Sequence, residues 1–142
     1  MYTLFKHPTT QLDLSDEEAV QLAALLNIFR QRTAYILSQS AGLCQAKVST
    51  SLSRYKLVEQ CGQQLIHGNT LTVRTELTAE LVMIINLTMG FVTATGSGGE
   101  SWPQHQAALL NIVEQLKLRG NLSQKVGCPS DREIRGAYRK GI

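Results

Sequence analysis

The hexapeptide AALLNI occurs twice in this 142-residue chain, at residues 23–28 and at residues 107–112. Each copy follows a segment typical of a helix start, SDEE at residues 15–18 and SWPQ at residues 101–104. In the first segment the serine can accept bonds from free backbone amides while the last glutamate reaches back. In the second, proline occupies the first turn, where its missing amide costs little. The repeat therefore predicts two capped helices with leucine-rich faces.

The similarity continues beyond the hexapeptide, because each copy is followed by LSQ and then by a glycine and a cysteine. Two explanations stay open. The copies are either an old duplication with a shared role, or two core helices that use the same residues because alanine and leucine are strong helix formers.

The overall composition is consistent with a single folded domain and does not indicate a function. The chain is 43% hydrophobic, which is enough for a core, and its net charge of +3 is only mildly basic. A nucleic-acid role must therefore come from a local basic patch. The three cysteines have no CxxC spacing, and the first residues lack the features of a signal peptide, so we expect a reducing, cytoplasmic setting.

The most apolar segment is LVMIINLTMGFV at residues 81–92. Its length is short for a membrane span, so we expect a buried helix and no membrane partner. Because it is apolar almost all round, it exceeds what one small domain covers alone, and a homodimer is expected.

A hairpin is expected before this helix, because residues 63–66 and the alternating Leu71, Val73 and Thr75 flank the turn-rich HGNT. Thr78 is expected to cap the apolar helix. We expect a first domain at residues 1–95, a glycine-rich linker at 96–100, and a C-terminal helical segment at 101–142 that is a possible degenerate repeat of the first.

The segment LSQSAGLCQAKVSTSLSRYK at residues 37–56 carries the functional signal. Gly42 stands where a tight turn between two helices needs positive φ. The apolar positions around it have the spacing that pins two crossed helices together. These inward positions are Leu37, Ala41, Leu43, Val48 and Leu52.

This segment resembles the helix-turn-helix of bacterial and phage transcription regulators, and its surroundings resemble the winged helix of regulators of the multiple-antibiotic-resistance type. The resemblance implies a sequence-specific regulator that reads the major groove of double-stranded DNA with a helix around residues 44–56. On that helix, glutamine can bond adenine, small methyl groups can touch thymine, and cations can hold phosphates. The outward residues are Gln45, Ala46, Lys47, Ser49, Thr50, Arg54 and Lys56.

The C-terminal sequence predicts a similar pair of short helices at residues 122–126 and 130–140, separated by a turn. The second carries Arg132, Arg135 and Arg139, which are candidates for supporting phosphate contacts. The competing hypothesis is a helical adaptor or inhibitor that holds a protein partner with an apolar face and does not contact DNA.

No motif of an enzyme is present in the sequence. The three histidines are scattered, so neither a metal site nor a cofactor is expected, and Glu17 and Glu18 are explained by a helix start. The expected fold is mainly α: a helix-turn-helix, winged if the short β-hairpin forms, then the apolar helix and a C-terminal helical segment.

Overall fold

A computed structural model describes residues 8–39 and 45–127, with side chains as far as Gly120. Within these residues the chain forms four α-helices and one two-stranded antiparallel sheet, so the predicted mainly helical fold class is confirmed. The elements in chain order are β1 (Thr9–Asp13), α1 (Asp16–Ser38), α2 (Gln45–His67), β2 (Thr70–Arg74), a 3-10 turn (Thr75–Leu77), α3 (Thr78–Thr95) and α4 (Trp102–Gly127).

The predicted capping box at the start of α1 is present. The Ser15 hydroxyl accepts from the Glu18 amide at 3.1 Å, and a Glu18 carboxylate oxygen accepts from the Ser15 amide at 2.9 Å. That backbone bond from Ser15 holds the pKa of Glu18 below its ordinary value. Asn111 of α4 donates to the other Glu18 oxygen at 2.6 Å, so the cap also connects α1 to α4.

One core is shared by the sheet and all four helices. Its fully buried side chains include Leu22 and Leu26 of α1, Val58 of α2, Leu71 of β2, Leu81, Ile84 and Ile85 of α3, and Leu109, Ile112 and Leu116 of α4. The two AALLNI copies pack differently within it. Leu26 is 1% exposed, whereas its counterpart Leu110 is 47% exposed. The identical residues of the two copies therefore do not give α1 and α4 the same buried face.

The predicted local hairpin is wrong, although β2 alternates between buried and exposed residues as expected. Residues 63–66 belong to α2, and the strand that pairs with β2 is β1, with Leu12 opposite Leu71. Gln64 of α2 donates to the Thr72 carbonyl at 2.8 Å and accepts from the Thr72 amide at 2.6 Å. A side chain of α2 thus bonds the backbone amide and carbonyl of Thr72, to which a strand at residues 63–66 was expected to bond.

The predicted cap of α3 is also wrong. Leu77 is the N-cap, and Thr78 lies inside the helix, where its hydroxyl donates to the Thr75 carbonyl at 2.8 Å. At its other end α3 stops at Gly96, which has φ of 69° in the left-handed region that glycine adopts without strain. The glycine-rich residues predicted as a linker connect α3 to α4.

α3 is the predicted apolar helix, and much of its surface is covered by its own chain. Seven of its residues are buried, while Leu87 is 55% exposed, so less apolar surface is left for a partner than the sequence implied. The homodimer stays a prediction. Among the described residues, Thr75–Thr95 is the one helical stretch long and apolar enough to cross a membrane, with mean hydropathy 1.6 and 39% of its most apolar part buried. A core helix passes the same test.

α4 runs unbroken from Trp102 to Gly127. Residues 122–126 are therefore its last turns, and the separate short helix predicted there is wrong. The predicted second helix at residues 130–140 lies outside the described residues.

α4 lies close to the start of α3 at Gly120. A β-carbon added there would lie 2.5 Å from the Thr78 hydroxyl oxygen and 3.3 Å from its β-carbon. We expect Gly120→Ala to cost about 1–3 kcal/mol of unfolding free energy, as overpacking does, measured by urea denaturation. The control is Gly90→Ala in α3, where nothing lies within 4 Å of the added methyl group, so it should be neutral or stabilising.

A second variant isolates the cause of that loss. Thr78→Ala removes the hydroxyl that the new methyl group meets. The unfolding free energy lost through Thr78→Ala should therefore be smaller in the Gly120→Ala background than in the wild type. If Gly120→Ala unfolds at the wild-type urea concentration, the close packing of α4 on α3 is incorrect.

Candidate nucleic-acid interface

α1 and α2 form a long antiparallel hairpin. The start of α1 lies beside the residues that follow α2, and there Asp16 accepts a hydrogen bond from Asn69. The last buried residue of α1 is Thr33 and the first of α2 is Leu57. Residues 34–39 and 45–56, here called the distal end of the hairpin, contain no buried side chain. The twelve residues of α2 in this end extend about 18 Å at 1.5 Å per residue.

Most of the predicted DNA-binding residues lie on this distal end and face solvent. The exposed ones are Gln45, Ala46, Lys47, Ser49, Thr50 and Lys56. Gln45 and Ser49 are four residues apart, so they lie on one side of α2, and Ala46 and Thr50 repeat that spacing one residue further on. Arg54 is the exception, because its side chain is only 30% exposed.

The packing predicted for a helix-turn-helix is not observed in the described residues. Val48 is half-buried and Leu52 is 42% exposed, so Leu52 does not pin α2 to a neighbour. The crossing of two short helices expected for that motif is not confirmed, since α1 and α2 are long and antiparallel. The predicted turn at Gly42, with Ala41 and Leu43, lies outside the described residues.

Arg54 is held by α3. Its Nε donates to a Glu80 carboxylate oxygen at 2.5 Å, and one of its terminal nitrogens lies 3.6 Å from the Met83 sulfur. This ion pair gives Arg54 a role within the fold, in addition to the phosphate contact predicted from the sequence.

A second arginine connects the hairpin to the other end of α3. The guanidinium carbon of Arg32 on α1 lies 3.8 Å from the centroid of the Phe91 ring, a cation–π distance. α3 therefore lies across both helices of the hairpin, meeting α2 at Glu80 and α1 at Phe91. The residues beyond these two contacts project past α3.

Charge is segregated along the hairpin. Residues 30–58 contain five cations and no carboxylate, namely Arg30, Arg32, Lys47, Arg54 and Lys56. Residues 13–18 at the opposite end contain four carboxylates and no cation. Sequence reasoning omitted Arg30 and Arg32 from the candidate site, although the absence of acidic residues over this span is a signal visible in the sequence.

The charge of the whole chain is distributed differently. Residues 8–127 contain nine Lys and Arg against nine Asp and Glu, so the net charge of +3 arises at residues 1–7 and 128–142. The predicted contacts Arg132, Arg135 and Arg139 lie outside the described residues, and their role stays a prediction. Within residues 8–127, the span 30–58 holds five of the nine cations and none of the nine carboxylates, so it is a local basic region on a fold whose remaining residues are net acidic.

A groove of about 600 Å³ runs beside this surface, between α2 and the start of α3. Hydroxyl groups of Ser49, Thr50 and Ser53 line one wall together with Lys56. Glu76 and Glu80 line the other, where Glu76 pairs with Arg74 at 3.0 Å. The groove thus combines donors suited to an anion with carboxylates that are themselves paired with arginines.

Thiol chemistry and metal binding have little support in the described residues. Burial raises the pKa of the Cys61 thiol to about 12, which leaves almost no thiolate at neutral pH. Across residues 8–39 and 45–127, no three His, Cys, Asp or Glu side chains come together as a metal site.

Comparison with models of known families, with curated proteins and with solved structures finds no match to this chain.

The exposure of Leu52 can be tested directly. We expect Leu52→Ala to change the unfolding free energy by no more than about 0.5 kcal/mol, as at most surface sites. Leu57→Ala, one and a half turns later on α2, should cost about 2–5 kcal/mol because Leu57 is buried. Urea denaturation of both variants measures the difference. A loss at Leu52 as large as that at Leu57 would show that the distal end packs against another element.

Proposed function

We propose that this protein binds double-stranded DNA through the distal end of the α1–α2 hairpin, with the first turns of α2 in the major groove. The observation that carries the proposal is the coincidence of two features at this end. The distal end carries Lys47, Arg54 and Lys56 and no carboxylate of its own, and the first twelve residues of α2 bury no side chain. A helix enters a groove only if its surface is free, and phosphates attract exposed cations such as Lys47 and Lys56.

The exposed residues of α2 supply both kinds of contact that DNA recognition requires. Gln45 has an amide that can bond adenine through two atoms, and Ser49 one turn later is a second candidate for a base edge. The methyl groups of Ala46 and Thr50 suit thymine. Lys47 and Lys56 are exposed cations for phosphates.

Sequence-specific binding of this kind is the activity of a transcriptional regulator, which is the function that the resemblance to helix-turn-helix proteins implies. The hairpin supports DNA contact by its charge and its exposure. Arg54 is left out of the proposed contacts because Glu80 holds it.

The proposal predicts different effects for a base contact and a phosphate contact. A preferred duplex is first selected from a random library, and affinities are then measured at two salt concentrations by fluorescence anisotropy. Gln45→Ala should cost about 1–3 kcal/mol on that duplex and relax the preference among related sequences. Lys47→Ala should weaken binding to all duplexes alike and reduce the salt slope by about 0.9, because one fewer counterion is released.

The control is Lys117→Ala on α4, which removes the same charge from an exposed site outside the hairpin. It should leave the salt slope unchanged. If Lys47→Ala and Lys117→Ala have equal effects, attraction to DNA is a property of the whole surface and the distal end is not the interface.

A helical adaptor is the second candidate, and exposed apolar side chains favour it. Tyr35 and Ile36 near the end of α1 are 68% and 42% exposed, and Leu52 on α2 is 42% exposed. These residues lie on the distal end as well. If no duplex binds in the selection at low salt, the adaptor replaces the DNA-binding proposal.

A further inference from the structure

The ion pair between Arg54 and Glu80 lies at the wall of the groove beside the proposed DNA-binding face. The Arg54 and Glu80 side chains are 30% and 37% exposed, so solvent and ligands reach both partners. Ion pairs with this much exposure are weak and are screened by salt. Arg54 can therefore exchange a carboxylate for another anion without the cost of unpairing a deeply buried charge.

The donors along the same groove match the chemistry of a phosphate group. Ser49, Thr50 and Ser53 offer hydroxyl groups, and Lys56 adds a positive charge one turn from Ser53. Arginine is suited to phosphate because its planar group presents paired N–H donors. In this structure the Nε of that arginine is occupied by the Glu80 carboxylate at 2.5 Å.

We propose that the groove between α2 and the start of α3 is a binding site for a phosphate of the DNA backbone, and that Glu80 limits its use by occupying Arg54. This inference rests on the proposed function, since it adds one phosphate contact to the same interface. Glu80 then determines affinity without contacting DNA: while it holds Arg54, the complex has one phosphate contact fewer than the residues of α2 can make.

The test compares Glu80→Gln with Glu114→Gln in the duplex titration. Both variants remove one negative charge, and Glu114 lies exposed on α4, so the pair separates a local effect from a general one. Glu80→Gln should bind about two- to fivefold more tightly than Glu114→Gln, the range set by the strength of an exposed ion pair. Its salt slope should be steeper by about 0.9, because one more phosphate is neutralised.

A double variant shows whether Arg54 is responsible. Adding Arg54→Ala to Glu80→Gln should abolish both the gain in affinity and the steeper slope, while Arg54→Ala alone should leave the wild-type slope unchanged. Thermal melting monitors folding throughout. If Glu80→Gln unfolds, Glu80→Asp replaces it, since the shorter side chain weakens the pair without changing the charge and should raise affinity in the same direction.

Three outcomes overturn the inference. If Glu80→Gln binds no better than Glu114→Gln, Glu80 does not mask the site, although wild-type binding would still support the proposed function. If neither wild type nor variants bind the duplex, the proposed function fails and the inference fails with it. If inorganic phosphate at constant ionic strength shifts the Arg54 Nε–H NMR signal of Glu80→Gln while duplex affinity stays at the Glu114→Gln level, the groove takes free phosphate instead of DNA.

Discussion

α3 packs across both helices of the α1–α2 hairpin, and the burial of its apolar side chains fixes the positions of the other elements. Ile84, Ile85 and Val92 are each no more than 2% exposed, and residues of this kind contribute roughly 1.5–3 kcal/mol apiece when they leave water. α4 joins the same core through Leu116 and lies close to α3 at Gly120. α3 meets the hairpin near Arg32 and Arg54. The end of α1 after Arg32 and the start of α2 before Arg54 therefore project beyond α3.

That projection separates two tasks within the same pair of helices. The proximal half supplies core residues such as Leu22 and Val58, and the carboxylates at residues 13–18 lie at its end. The distal end contributes no buried side chain and carries Lys47, Arg54 and Lys56, and Arg30 and Arg32 lie just before it on α1. Substitutions in the distal end, apart from Arg54, are therefore expected to have little effect on folding, so this surface is free to carry a binding function.

Some local signals in the sequence predicted local structure, while others, such as Thr78 as a helix cap and residues 63–66 as a strand, did not. The serine and glutamate spacing at residues 15–18 identified the start of α1, and the alternation of Leu71 and Val73 identified β2. Tertiary pairing was not predictable in the same way. β2 pairs with β1, about sixty residues earlier, while Gln64 stays in α2 and bonds Thr72 with its side chain. No local pattern distinguishes that arrangement from a hairpin.

The candidate site shows the same division. The exposed positions of α2 followed from helical spacing alone, whereas the burial predicted for Val48 and Leu52 depended on tertiary packing, and the two side chains are half-buried and 42% exposed. The partner of Arg54 was also hidden, because Glu80 is 26 residues away in sequence. A scan for spans without acidic residues would have added Arg30 and Arg32, since that signal needs no knowledge of the fold.

NMR mapping of a duplex on the isotope-labelled protein tests the central claim most directly, namely that the distal end of the hairpin is the DNA-binding surface. On titration with a duplex at low salt, the amide signals of residues 45–53 and of the last turn of α1 should shift first and most. Signals of the core around Leu22 and Ile112 should stay in place. Shifts concentrated on α4 or near residues 13–18, or no shifts at all, would contradict the account.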